Sequence, residues 1–163
     1  MTTTPEQASR NSTRIEALED VPAIRITRDF DAPVERVFRA WVDKDLFARW
    51  VGPRSIDTTI DEWDARTGGS WRYTSRRGDE VYRFYGSFHE VRPQERLVQT
   101  FTWEGEPDGV SLETMTFEDL GDGRTRTVGL SVVESFQIRD MILASGMDTG
   151  IVEGYEKLDD LLA

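Results

Sequence analysis

The sequence predicts an α+β domain in which a twisted antiparallel sheet is closed on its concave side by a long C-terminal helix. Three observations carry this. Apolar residues alternate with polar ones from Ala23, a helical pair opening at Pro33 and Asp43 interrupts that alternation, and a helical period returns over roughly 139–162 after six further strand-like runs. Strands joined by short turns lie antiparallel. A twisted sheet cannot fill its own concave side, so the last helix must cover it, and the gap between them is the natural place for a ligand.

Residues 1–22 are rich in Thr, Ser, Asn, Gln and Glu without sustained periodicity, so they read as a disordered tail and 23–163 as one domain. In the first strand Ile24, Ile26, Arg28 and Phe30 share one parity and Arg25, Thr27 and Asp29 the other. Pro33 suits the first position of a helix whose apolar face is Val34, Val37, Phe38 and Trp41. Asp43 caps a second short helix, with Asp45 in its first turn and Leu46, Phe47 and Trp50 at helical spacing, and Gly52-Pro53 stops it. Strand character follows near residues 56–63, 70–76, 81–91, 96–104, 111–119 and 124–134. Arg77-Gly78-Asp79 and Gly121-Asp122-Gly123 supply tight hairpins, and Arg92-Pro93-Gln94-Glu95 a longer connection. On the closing helix Met147, Ile151, Tyr155, Leu158 and Leu162 form one stripe.

A length of 163 residues fits a single core. The 31 acidic against 20 basic residues leave a formal charge of −11, which repels phosphate backbones and anionic membrane surfaces, so no nucleic-acid partner is expected. No apolar run approaches the roughly 20 residues of a membrane helix, and the first residues lack the apolar stretch of a secretory signal; no membrane insertion and a cytoplasmic location are expected. Cysteine is absent, which excludes thiolate nucleophiles, disulfides, zinc–thiolate sites and iron–sulfur clusters within the chain. His89, the one histidine, falls on the parity opposite Phe88 and reads as outward-facing. Asp57, Asp61, Glu62, Asp64, Asp159 and Asp160 match no calcium-loop spacing, and no nucleophile elbow, phosphate loop or dinucleotide fingerprint occurs. Neither metal nor cofactor is expected.

Several sequence motifs then carry a resemblance: Phe30-Asp31-Ala32-Pro33 with Val37-Phe38-Arg39-Ala40-Trp41; Ala48-Arg49-Trp50-Val51-Gly52-Pro53; Arg66-Thr67-Gly68-Gly69-Ser70-Trp71; Gly86-Ser87-Phe88-His89-Glu90-Val91 with Arg96-Leu97-Val98; and Gly146-Met147 opening the last helix. In this order the chain from about Ile24 to Ala163 resembles the activator-of-Hsp90-ATPase-like (AHSA1-like) branch of the START/Bet v 1/polyketide cyclase (SRPBCC) superfamily. The resemblance implies a helix-grip fold: a seven-stranded antiparallel sheet wrapped around the C-terminal helix, with two short helices after the first strand and a cavity between sheet and helix. Many relatives carry a second tryptophan where this chain has Val51, which alters one wall of such a cavity. Lipid carriers, cyclases, hormone receptors and chaperone regulators share the fold, so it implies no single activity.

The residues that would line a cavity are Trp50, Trp71, Tyr73, Phe84, Phe88, Phe101, Trp103, Met115, Met147, Ile151 and Tyr155. The same side chains would serve equally as plain core, since strand register decides which parity faces inward. Arg28 lies on an apolar parity and needs an anionic partner, for which Glu62 is a candidate; the pair would orient a polar ligand or be structural, unless Arg28 reaches water at the strand end. Gly146, Gly150 and Gly154 recur at four-residue spacing, and three glycines inside a helix cost about 3 kcal/mol relative to alanine, so a close neighbour or a ligand must need the space. The leading reading is binding of a hydrophobic or amphipathic small molecule, with aromatic compounds among the candidates, without cofactor or metal. Its rivals are a cofactor-free cyclase or dehydratase, which needs an ionisable group facing the cavity, and a protein-interaction module contacting a chaperone. A homodimer stays open as well.

Overall fold

The computed structural model describes residues 11–163. Eight antiparallel strands, β1 (Arg14–Ala17), β2 (Ala23–Phe30), β3 (Asp57–Trp63), β4 (Ser70–Arg77), β5 (Glu80–Arg92), β6 (Arg96–Trp103), β7 (Ser111–Gly121) and β8 (Arg124–Val132), form one sheet of order β1-β2-β8-β7-β6-β5-β4-β3. Helices α1 (Val34–Val42) and α2 (Lys44–Trp50) carry the chain from β2 near one edge to β3 at the other. Helices α3 (Phe136–Ala144) and α4 (Met147–Leu162) follow β8.

The turns explain the meander from β3 to β8. Arg77 pairs with Glu80 across Gly78-Asp79, and Gly78 has φ +58°, the positive first position of a type II′ turn. Gly121 pairs with Arg124 across Asp122 and Gly123, at φ +55° and +71°, the type I′ signature. Both turn types match the right-handed twist of their strands. Asp43 caps α2 as its sequence predicts, its carboxylate accepting from the backbone N–H groups of Asp45 (3.0 Å) and Leu46 (3.1 Å).

The end of α1 leaves carbonyls that no helical N–H can reach. Two indoles meet them: Trp50 Nε1 donates to the Ala40 carbonyl and Trp63 Nε1 to that of Val42, each at 2.8 Å. These bonds tie α1, α2 and β3 into one corner. The core is built beside that corner, where Trp41 lies 4.7 Å from Trp50 and 5.4 Å from Phe117 between ring centroids, and Phe30 meets Tyr155 edge-on at 5.4 Å. Tyr155 and Leu158 bring α4 into this cluster. The backbone of α4 comes closest to α2, with α3 and α1 next, and approaches no strand comparably. Side chains or open space therefore fill the interval between α4 and the sheet.

Three sequence expectations are corrected here. The sheet has eight strands, because Arg14–Ala17, assigned to a disordered tail, pairs with β2 in the register Arg14 to Thr27 through Ala17 to Ile24. Residues 1–10 of that tail lie outside the described residues. Pro33 stands one position earlier than expected, as the N-cap of α1. The helical period read from about Arg139 to Leu162 is two helices, broken at Ser145-Gly146, and Gly146-Met147 opens the last one as the resemblance implies, with Gly146 at φ +87° as its N-cap. Among the described residues, no helix is long and apolar enough to cross a membrane.

Candidate functional site

Strand register decides which residues face α4. Phe117, Met115 and Glu113 of β7 stand opposite Thr127, Gly129 and Ser131 of β8, and Met115 and Glu113 stand opposite Leu97 and Gln99 of β6. Across β5 and β4, Phe84 pairs with Tyr73 and Gly86 with Trp71. Gly86 is required there, because a Cβ at that position would sit 2.0 Å from the Thr100 carbonyl oxygen and 2.7 Å from the Trp71 ring. The glycine gives the indole its place on the inner face.

This face is unevenly filled. Near α1 and α2 it is closed by Phe30, Trp41, Trp50, Phe117 and Tyr155, all buried. Farther along, Phe84, Gln99, Phe101, Glu113 and Met115, with Met147 and Ile151 on α4, are only half-buried. Solvent therefore reaches this end of the inner face, an aromatic-lined stretch of sheet beside α4, here called the recess. Centroids lie 5.3 Å apart from Trp71 to Tyr73, 5.2 Å from Tyr73 to Phe84 and 5.3 Å from Phe84 to Phe101.

Two polar features belong to the recess. Gln99 Nε2 donates to Glu113 Oε2 at 3.4 Å, a long bond. Burial pushes the Glu113 carboxyl up to about 7, and the amide of Gln99 opposes that shift only in part. Solvent still reaches part of this side chain although protein packs around it, as expected for a group at the floor of a recess. Burial also raises the hydroxyl pKa values of Tyr73 and Tyr155, with the Glu113 charge adding to both and Arg28 opposing it at Tyr155. Both tyrosines are neutral donors at neutral pH. The second feature is the indole N–H of Trp71, which is buried and has no acceptor among the described residues.

The residues expected to line a cavity divide three ways. Phe84, Phe101, Met115 and Ile151 are half-buried and pack against the core, Met147 is half-buried at the start of α4, and Trp71 and Tyr73 are buried within the core cluster. Trp50, Phe88 and Tyr155 belong to the closed core, Phe88 packing on Trp63 at 5.5 Å. Trp103 is 41 % exposed, so it walls no enclosed space. His89 lies outward, at an irregularity of the β5–β6 register between Phe88 and Glu90.

The proposed pairing of Arg28 with Glu62 does not form. Arg28, 4 % exposed, makes a bidentate pair with Asp159 of α4, at 2.8 Å and 2.5 Å, and also donates to the Asp29 carbonyl at 2.9 Å. Glu62 sits on the far edge strand, exposed, and accepts from Ser70 at 2.6 Å. The glycine stripe has a packing cause. A Cβ on Gly154 would meet the Trp50 carbonyl oxygen at 3.0 Å, and one on Gly150 would meet Pro53 Cδ at 3.4 Å. Close approach of α4 to the end of α2 sets these positions, away from the recess.

Gln99 and Glu113 were not among the expected residues. The signal was the one that exposed Arg28: Glu113 shares the parity of Met115 and Phe117, and a charge on an apolar parity is a buried charge unless the strand ends. Two surface clefts, of about 240 Å³ and about 260 Å³, lie elsewhere: one among Arg36, Arg39, Leu46 and Leu161, the other along Asp148, Val152 and Glu156. Both are smaller than common ligand sites and carry no aromatic wall.

Comparison with known proteins places this geometry. A family model described as activator of Hsp90 ATPase homolog 1-like protein matches residues 31–163. No protein of curated function matches. Among solved structures, protein Ms6760 from Mycobacterium smegmatis is 25 % identical with a TM-score of 0.84, over 93 % of this chain and 98 % of that one. A protein from Arthrobacter aurescens is 26 % identical with a TM-score of 0.83, over 91 % and 90 % of the two chains. A Rhodobacter sphaeroides protein, 22 % identical at a TM-score of 0.84 over 93 % and 98 %, shows the same fold.

Proposed function

The chain belongs to the activator-of-Hsp90-ATPase homolog 1-like family of the SRPBCC superfamily, and from that premise we propose that it binds a hydrophobic or amphipathic, partly aromatic small molecule in the recess beneath α4. The observation that carries this reading is the orphaned indole N–H of Trp71, held behind an aromatic wall whose outer members remain half-buried. A buried donor without an acceptor costs about 1–3 kcal/mol, and a ligand carbonyl or hydroxyl oxygen would offset it. Burial of the ligand's apolar body against Phe84, Phe101, Met115 and Ile151 supplies the affinity, and the polar contact sets its orientation.

A thermal-shift screen of neutral aromatic and aliphatic compounds bearing one acceptor tests the proposal. A ligand present at 100 times its Kd stabilises the folded state by about 2.7 kcal/mol, which raises Tm by about 5–10 °C for a chain of this size. Trp71→Phe keeps an aromatic ring, though a smaller one, and removes the N–H, so it weakens ligands that carry the acceptor more than those that lack it. Phe101→Ala weakens all of them. A screen in which no compound shifts Tm contradicts the reading.

One observation favours a second reading, that of a cofactor-free cyclase or dehydratase. Glu113, with its carboxyl at about 7, is an ionisable group on the recess floor able to hold or give up a proton near neutral pH. On that reading Glu113→Gln abolishes turnover of a substrate that still binds.

A further inference from the structure

Glu113 is a carboxylate on the inner face of β7 that makes no ion pair among the described residues. Its partner is the Gln99 amide at 3.4 Å, which engages one oxygen, and the other oxygen accepts no hydrogen bond among the described residues. The guanidinium that acts on this space, Arg28 of β2, is already neutralised by the bidentate Asp159 of α4. Tyr73 from β4 and Tyr155 from α4 feel the Glu113 charge and are neutral, Gln99 and Ser131 stand opposite it on β6 and β8, and none of these brings positive charge.

Resting on the small-molecule reading above, we propose that the ligand of the recess is an organic cation, a hydrophobic body bearing a protonated amine that seats its nitrogen on the Glu113 carboxylate. The floor supplies the counter-charge and the wall suits the rest. Tyr73, Phe84 and Phe101 form a continuous run of rings, whose faces attract a cation as well as burying apolar surface. The formal charge of −11 draws cations toward the molecule from a distance. A carboxylic-acid ligand meets the opposite field at both ranges, and a neutral alcohol leaves the buried carboxylate uncompensated.

Burial holds the Glu113 carboxyl at about 7, so an ammonium must displace the proton from molecules still protonated. Binding of a strongly basic amine therefore tightens as pH rises through about 7 and releases protons to buffer below it. Burial holds the hydroxyls of Tyr73 and Tyr155 well above this range and the Arg28 guanidinium is engaged by Asp159, so the profile belongs to Glu113.

Calorimetric titration of the full chain with 2-naphthylmethylamine, 2-naphthylmethanol and 2-naphthoic acid, at about pH 8 and low salt, tests this. The amine is expected to bind about tenfold tighter than the alcohol, with the acid weakest. In Glu113→Gln, whose folding is checked by its Tm, the amine and alcohol should bind alike. In Glu118→Gln, which removes the same charge from the outer face of β7, the preference should survive. Equal binding of amine and alcohol to the wild type overturns the cation assignment and leaves the recess as a neutral site. An amine preference that persists in Glu113→Gln overturns it in favour of general surface attraction. Failure of all three probes to bind overturns the cation assignment and counts against the small-molecule reading itself.

Discussion

Glu113 and Arg28 are the two charges that the apolar parities of β7 and β2 carry inward, and they are handled differently. Arg28 is paired, so removing its partner is costly: Asp159→Asn or Arg28→Ala should each lower stability by about 2–3 kcal/mol, less than for a fully buried pair because the Asp159 side chain is 37 % exposed. The double variant should lose less than the sum of the singles, which denaturant titration of all four proteins measures. Glu113 is unpaired, and folding raises its carboxyl from the ordinary 4.5 to about 7. A raised folded-state pKa means that this group's contribution is fully present below pH 4.5 and is lost as pH climbs through about 7. Glu113→Gln should therefore match the wild type near pH 4.5 and exceed its stability above pH 7 by about 1–2 kcal/mol, a figure reduced for the solvent that reaches the side chain. A difference independent of pH would contradict that account. Both residues were legible as charges on apolar parities, but the sequence did not say that Arg28 would find Asp159, because the partner lies 131 residues away on α4.

Among the elements, α4 shows what spacing can and cannot reveal. Its apolar stripe, its length and its glycine repeat are all readable, and they led to one continuous helix with three interior glycines. Gly146 instead terminates the α3–α4 corner at φ +87°, a backbone state that periodicity does not encode. The two remaining glycines differ in what they touch, so alanine should separate them. Gly150→Ala, facing the edge of Pro53 at 3.4 Å, should gain about 0.5–1 kcal/mol from helix propensity. Gly154→Ala forces a methyl to 3.0 Å from the Trp50 carbonyl oxygen and should lose about 1–2 kcal/mol despite the same propensity gain. Equal effects at the two sites, read from thermal or denaturant melts, would mean that α4 does not rest on the end of α2. The strands and hairpins from Asp57 onward were more legible, because Gly78 and Asp122-Gly123 carry their turn types in their residue identities. β1 was not, since four residues of mixed polarity acquire strand structure only by pairing with β2.

At the scale of the whole molecule, the order of elements was enough to place a helix over a concave sheet, and turn chemistry was enough to make that sheet a meander. The uneven filling of the space between them was not legible. Whether Trp50 closes the core while Phe101 borders a recess depends on where α4 meets α2, and that contact is set by Gly154, Trp50 and Tyr155 acting together. The central claim is that this unfilled end holds a small molecule. Methionine methyl groups report on it most directly: Met115 lies on the inner face of β7, Met147 at the start of α4, and Met141, 65 % exposed on α3, stands outside the recess. Methyl-labelled NMR spectra should be recorded while the tightest compound from the thermal-shift screen is titrated in. Saturable shifts of Met115 and Met147 with Met141 unmoved are the predicted result, whereas binding that perturbs Met141 and leaves Met115 unchanged would contradict the account.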